Sequence, residues 1–236
     1  MKFSSELKSA ILLKRYKRFL VDLRKDSGEE FTVHCANTGK MTGCADSGFK
    51  AYYSTSDNVK RKYPHSLEVT ENEQGQLICV NTNMANKVAI EAIENGLIPE
   101  LAGYQKLTSE VKYGHENSRI DILLSSPDQV DCYVEVKSVT LLETNGQGFF
   151  PDAETVRGQK HLRELMHIKH SNQRAVLLFI VMHNGIENVA AAQHIDKKYA
   201  QLFAEARLQG VEIYAYKAQV TPQEVKVIEQ LSVLDT

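Results

Sequence analysis

Residues 133–141 read YVEVKSVTL, and apolar and polar positions alternate along them as in a half-buried strand. Two of the polar positions nevertheless carry opposite full charges. Successive side chains of a strand point to opposite faces, so Glu135 and Lys137 share one face while Val134 and Val136 share the other. Taken alone, Glu-x-Lys is the ordinary mark of a solvated cross-face pair. The stretch before it argues for more. SRIDILL (118–124) is joined to it by SSPDQ, whose Pro and Asp mark a turn, so the two strands are expected to form an antiparallel hairpin. If Ser125 pairs with Asp131, Asp121 lies directly opposite Glu135, and a slip of one residue would break that facing.

Opposed carboxylates repel unless a cation sits between them. A hard divalent ion, Mg²⁺ or Mn²⁺, held by a few carboxylate oxygens and water, supplies that cation, and Lys137 completes the group two residues along. Asp121, Glu135 and Lys137 on one edge of a hairpin have the composition of a phosphodiester-cleaving site. The metal would activate water and neutralise phosphate, and the lysine would orient or deprotonate the nucleophile.

The surrounding pattern is consistent with that site. MANKVAIEAIENG (84–96) has apolar residues at helical spacing and stops at Asn95-Gly96, with Pro99 beyond. Three strands are expected next, at YQKLTSEVKYG, SRIDILLS and DCYVEVKSVTL, then a helix from about Ala153 to His170 that carries Arg157, Lys160 and His161. The buried strand AVLLFIVM (175–182), a helix over DKKYAQLFAEARLQG and a strand VEIYAYK complete the series. Their order contains the αβββαβ core of the PD-(D/E)xK nuclease-like fold. Before residue 84 the texture differs. ILLKRYKRFLVDL, EFTVHCA, FKAYYSTS, LEVTE and QLICVNT are strand-like and separated by turn material. That spacing suits an oligonucleotide-binding (OB) barrel, and a plain β-sandwich fits nearly as well. Two domains are therefore expected, of mixed α+β or α/β class: an OB-like, nucleic-acid-binding barrel over 1–84 and a nuclease-like domain over 85–236.

Composition bounds the partners. With 42% hydrophobic and 25% charged residues, the chain reads as soluble and globular. Its longest apolar run, AVLLFIVM, is far too short to span a bilayer, and the first twenty residues show no extended apolar core or small-residue cleavage site, so export is not expected. Cys35, Cys44, Cys79 and Cys132 show no CxxC pairing, as expected of reduced thiols in a cytoplasm. The net charge of −2 hides a basic entry, with 8 basic residues against 2 acidic ones in the first 25. There Lys14, Arg15, Lys17 and Arg18 bracket Tyr16 and Phe19, a mixture suited to phosphate contact with base stacking, although an amphipathic strand with inward aromatics gives the same string. Arg157 and Lys160 open a helix, where the dipole disfavours cations, which points to an external phosphate; pairing with Glu154 or Glu164 is the alternative. His34 and Asn37 sit in a turn that could contact a ligand or simply cap itself.

Five stretches, HCANTGKM (34–41), GLIPELAGY (96–104), SRIDILL (118–124), YVEVKSVTL (133–141) and FPDAETVRGQKHLREL (150–165), resemble the motifs of the sugar fermentation stimulation protein A family over essentially the whole chain. The resemblance implies an OB-like domain, a PD-(D/E)xK-like domain, DNA binding and a role in regulating sugar utilisation genes. By position it makes Asp121, Glu135 and Lys137 the nuclease-type triad, with Glu91 as the helical acid and Glu110 as its competitor. Ala36 and Lys40 depart from the family pattern in the barrel loop, away from the triad. Two functions follow: a DNA-binding regulator with a nuclease-like metal site, or a Mg²⁺-dependent nuclease acting on DNA or RNA.

Overall fold

The computed structural model describes residues 1–113 and 118–235. The Gly114 end of the first strand expected after the helix lies outside them. In the amino-terminal domain the strands are β1 (Lys8–Tyr16), β2 (Leu20–Arg24), β3 (Glu30–Cys35), β4 (Lys50–Thr55), β5 (His65–Glu71) and β6 (Leu77–Cys79). They run in the order β3-β2-β1-β4-β5-β6, and a further parallel pairing of β3 with β5 closes five of them into an OB-like barrel. Alternate residues Leu12, Val21, Leu23, Val33, Ala51, Tyr53 and Leu67 fill its interior. ILLKRYKRFLVDL is thus two strands. The chain reverses at Lys17 and Arg18, both left-handed (φ 48 and 65). Neither residue type advertises such a turn, since left-handed backbone is mostly left to Gly and Asn.

The second domain begins with α1 (Asn83–Glu94), followed by β7 (Lys106–Tyr113), β8 (Ser118–Ser126) and β9 (Gln129–Val139). After these come β10 (Leu141–Leu142), β11 (Gln147–Phe150), α2 (Val156–His170), β12 (Arg174–Val181), β13 (Asn188–Ala191), α3 (Lys197–Leu208), β14 (Glu212–Val220) and β15 (Val225–Val233). The mixed sheet runs β10-β11-β13-β15-β14-β12-β9-β8-β7. β12 lies parallel to both β9 and β14 at its centre, which is why RAVLLFIV is almost uniformly apolar. Its Val176, Leu178 and Ile180 pack on the α1 side, and Ala175, Leu177, Phe179 and Val181 pack on the side of α2 and α3. The expected αβββαβ order is present as α1-β7-β8-β9-α2-β12. Sequence reading passed over β10, β11, β13 and β15. The last of these, VKVIEQLSV, has a legible alternation in its first half.

The two domains share a seam. Cys79 N–H donates to Met182 O (2.9 Å) and Asn184 N–H to Leu77 O (3.0 Å), so β6 is stitched to the segment after β12. His183, 1% exposed, bridges to Ile78 there, and its Nδ1 accepts from Gly185 N–H (3.0 Å). Burial, then the Lys217 charge, hold this imidazole down to about 4 from an ordinary 6.5. A depressed folded-state value means stability that is complete above pH 6.5 and is lost as pH falls through 4. The linkage amounts to roughly 3 kcal/mol. Thermal melts across this range should therefore show a steeper acid loss for the protein than for His183→Gln; parallel curves would refute the assignment.

Candidate functional site

The hairpin of β8 and β9 has a bulge between Leu124 and Ser126, where the sequence predicts Ser125 to pair with Asp131, and adopts the expected register beyond it. Ile122, Leu123 and Leu124 face Val134, Tyr133 and Cys132, and continuing the ladder by one step sets Asp121 opposite Glu135. Glu135 is 2% exposed. Its Oε1 is engaged by Lys137 Nζ and by His161 Nδ1 from α2. Arg157, one helical turn before His161, donates from Nε to His161 Nε2 (3.4 Å). Lys137 Nζ also lies 2.9 Å from His161 Nδ1, so the ammonium, the imidazole and the Glu135 carboxylate form one cluster, with Arg157 on the far ring nitrogen. α2 is held for this task by its cap: Thr155 Oγ1 accepts from Gly158 N–H (2.9 Å), and Asp196 Oδ2 accepts from Thr155 N–H (2.9 Å).

Asp121 sits on the other side of the group. Its Oδ1 accepts from Asn86 Nδ2 of α1 (2.8 Å) and its Oδ2 from Val136 N–H (2.8 Å). Burial, then the neighbouring Glu135 charge, push the Asp121 carboxyl above the ordinary aspartate range; Lys137, Val136 N–H and Asn86 pull the other way without cancelling it. For Glu135, burial works upward, but the Lys137 ammonium and His161 overcome it and hold the carboxyl below the usual glutamate range.

Glu135 Oε2 is buried and has no hydrogen-bond partner among the described residues. A buried carboxylate oxygen left in that condition is costly, and it provides a hard anionic donor in a residue whose charge acts on the Asp121 carboxyl. No group of three or more His, Cys, Asp or Glu set to hold a metal occurs among the described residues. Two carboxylates nevertheless match the habit of Mg²⁺, which is commonly held by one or two carboxylates with water and substrate phosphate completing the shell. The donor set fits a hard divalent ion.

The remaining candidates disperse. Glu91 is not brought to Asp121; it pairs with the Met1 amino group, and the position on α1 that reaches Asp121 is Asn86. Five residues separate them, about 140° around the helix, so both cannot point the same way. Glu110 is exposed on β7 beside Asp121 in the ladder, with left-handed backbone (φ 57). Arg15 turns inward. Its guanidinium donates to the carbonyls of Arg18 (2.6 Å), Gly39 (2.8 Å), Asn37 (3.0 Å) and Lys40 (3.3 Å), so it shapes the barrel loop instead of offering its charge outward. Lys14 lies 3.5 Å from Asp22 and over the Tyr16 ring. Lys17 and Arg18 are exposed at the hairpin turn, and Arg157 and Lys160 stand on the first turns of α2.

That barrel loop reaches the second domain. Met41 N–H donates to Asp152 Oδ2 (2.9 Å), and a Cβ added at Gly39 would stand 2.7 Å from the same oxygen, which explains a glycine there. Between the domains lies a cavity of about 200 Å³ lined by Asn37, Asn86, Lys137, Ser138, Phe149 and Asp152 among others. Sequence reading missed Asn86 and the central role of His161. Only the spacing of Arg157 and His161, four apart on one helix face, hinted at a shared task.

Comparison with known proteins agrees with this architecture. The model of the SfsA N-terminal OB domain matches residues 13–80, and that of the sugar fermentation stimulation protein RE domain matches residues 83–224. A sugar fermentation stimulation protein homolog of Pseudoalteromonas translucida (strain TAC 125) is 62% identical over 235 residues, 98% of this chain and 99% of its own. The structure of Pyrococcus furiosus SfsA in complex with Ca²⁺ is 28% identical, with a TM-score of 0.87 over 99% of this chain and 98% of its own. The OB barrel, the nuclease-like sheet and these near full-length matches together mean that the chain belongs to the sugar fermentation stimulation protein family.

Proposed function

We propose that this protein binds DNA or RNA along the face shared by its two domains, and that Asp121 and Glu135 hold Mg²⁺ or Mn²⁺ in a nuclease-type centre. The observation that carries the reading is Glu135. One of its oxygens is engaged by Lys137 and His161, and the other is buried, unpartnered among the described residues and beside a second carboxylate. The Ca²⁺ complex of the Pyrococcus furiosus relative supports a hard divalent ion in this fold. A bound ion would neutralise a phosphate and lower the pKa of a coordinated water. The chain's own groups supply the rest. Arg157 and His161 keep Glu135 oriented, and Lys137 presents an ammonium to the cleft, where it can bond a phosphate oxygen or orient a water.

Binding is common to a cutting enzyme and to a regulator of sugar utilisation genes. The intact triad favours the enzyme, and the name carried by the relatives favours the regulator. Incubation with single- and double-stranded DNA and RNA, in Mg²⁺, Mn²⁺ and chelator, separates the two. Metal-dependent cleavage is the expected result. Binding without cleavage would leave the regulator, and absence of both would refute the proposal.

A further inference from the structure

The cavity beside Lys137 adjoins a second one, of about 530 Å³, and Phe150 and Asp152 line both. Arg18, Lys40 and Thr38 of the barrel line the outer cavity, together with residues 150–155 of the second domain. The inner cavity presents the partly exposed Phe149, whose ring is fixed edge-on by His194 (5.1 Å), and Ser138, whose Oγ is buried and has no partner among the described residues. The outer cavity thus offers cations, and the inner one an aromatic face together with Lys137. These groups match what a nucleic-acid strand needs: backbone charge, base stacking, chemistry.

The width is limited by bonds, not only by shape. Met41 N–H on Asp152 ties the barrel loop to the segment before α2, and Arg15 holds the loop rigid through its four carbonyls. The outer cavity, of about 530 Å³, lies in the range that holds a small ligand, and the inner one, of about 200 Å³, is smaller still, which suits a nucleotide or two of a strand and not a duplex. We infer that the substrate enters as a single strand, with Arg18 and Lys40 on its backbone and Phe149 under a base beside Lys137. The exposed Arg18 and Lys40 side chains make no ion pair among the described residues, while their carbonyls serve Arg15.

This inference rests on the nucleic-acid reading above and narrows its substrate. Fluorescence anisotropy with labelled octathymidylate and with a blunt hairpin duplex, both in chelator, tests it apart from any cleavage. The single strand should bind about tenfold tighter or better. Phe149→Leu should weaken it about fivefold or more. Arg18→Ala with Lys40→Ala, at exposed positions that spare the fold, should lower the salt slope of log affinity by roughly 1.4. Equal or tighter binding of the hairpin, or unchanged single-strand affinity in both variants, would overturn the inference. Single-strand preference without Mn²⁺-dependent cleavage would leave the inference standing and remove the catalytic reading. Cleavage of blunt duplex without single-strand binding would do the reverse.

Discussion

Asp121→Asn is expected to abolish Mn²⁺ binding in titration calorimetry, by about a hundredfold or more, and yet to raise the melting temperature measured in chelator. The two effects have one cause. Burial and the Glu135 charge disfavour ionised Asp121, so its folded-state pKa is raised. A raised value means a contribution that is complete below the unfolded pKa and lost as pH climbs through the folded one; at neutral pH the ionised group is a burden on the fold. An amide removes the burden and keeps the bonds: the substituted side chain can accept from Val136 N–H and donate to Asn86 once the Asn86 amide turns over. Adding Mn²⁺ should reverse the order, stabilising the protein but not the variant. A wild-type protein that melts higher in chelator, or a variant that binds Mn²⁺ equally, would refute the site.

Lys137→Ala is expected to reduce metal-dependent cleavage by about two orders of magnitude or more, as loss of a proton-handling group implies, while single-strand binding persists. An exposed Glu-Lys pair would contribute only about 0–1 kcal/mol. This pair is not exposed: the side chains of Lys137 and Glu135 are 13% and 2% accessible. Removing one member of a buried pair strands the other, at a cost of about 3–5 kcal/mol. The variant should therefore melt lower. Its acid unfolding should also move to higher pH, because Glu135 owes much of its depressed pKa to Lys137, and that stability disappears as pH falls through the folded-state value. Adding Glu135→Gln to Lys137→Ala should restore the melting temperature without restoring cleavage. Because Glu135→Gln also removes a metal ligand, the chemical role is read from Lys137→Arg, which keeps the counter-charge on Glu135; cleavage by that variant equal to the unsubstituted protein's would make Lys137 a structural counter-charge only.

The acidic edge with its lysine was legible because strand geometry is local. A two-residue period puts Glu135 and Lys137 on one face, and the pairs from Ile122–Val134 to Leu124–Cys132 carry the register that sets Asp121 across from Glu135, beyond a bulge that shifts the pairing next to the turn. Helical spacing likewise placed α1 and α2, and a continuous apolar run marked β12 as central. The same local logic fails once a helix must choose which of its positions meets a sheet. Glu91 looked suitable by type, but the azimuth of α1 on the sheet brings Asn86 to Asp121. Arg15 read as a phosphate contact because a sequence cannot display the four carbonyls, 3 to 25 residues away, that converge on it.

By itself, then, the sequence determined a β-rich first part, an αβββαβ second part and an acid-acid-lysine edge on a hairpin, since each depends on spacing within a few tens of residues; barrel or sandwich was decided only by the pairing of β3 with β5. Tertiary structure alone decided what surrounds that edge. His161 docks on Glu135 across 26 residues and Asn86 on Asp121 across 35, while the Met41–Asp152 bond spans 111. Phe149, Ser138 and the basic mouth at Arg18 and Lys40 come to line adjoining cavities only when the barrel is stitched to the sheet. Such contacts are set by how apolar faces pack, a property of the whole chain, and no local periodicity encodes them.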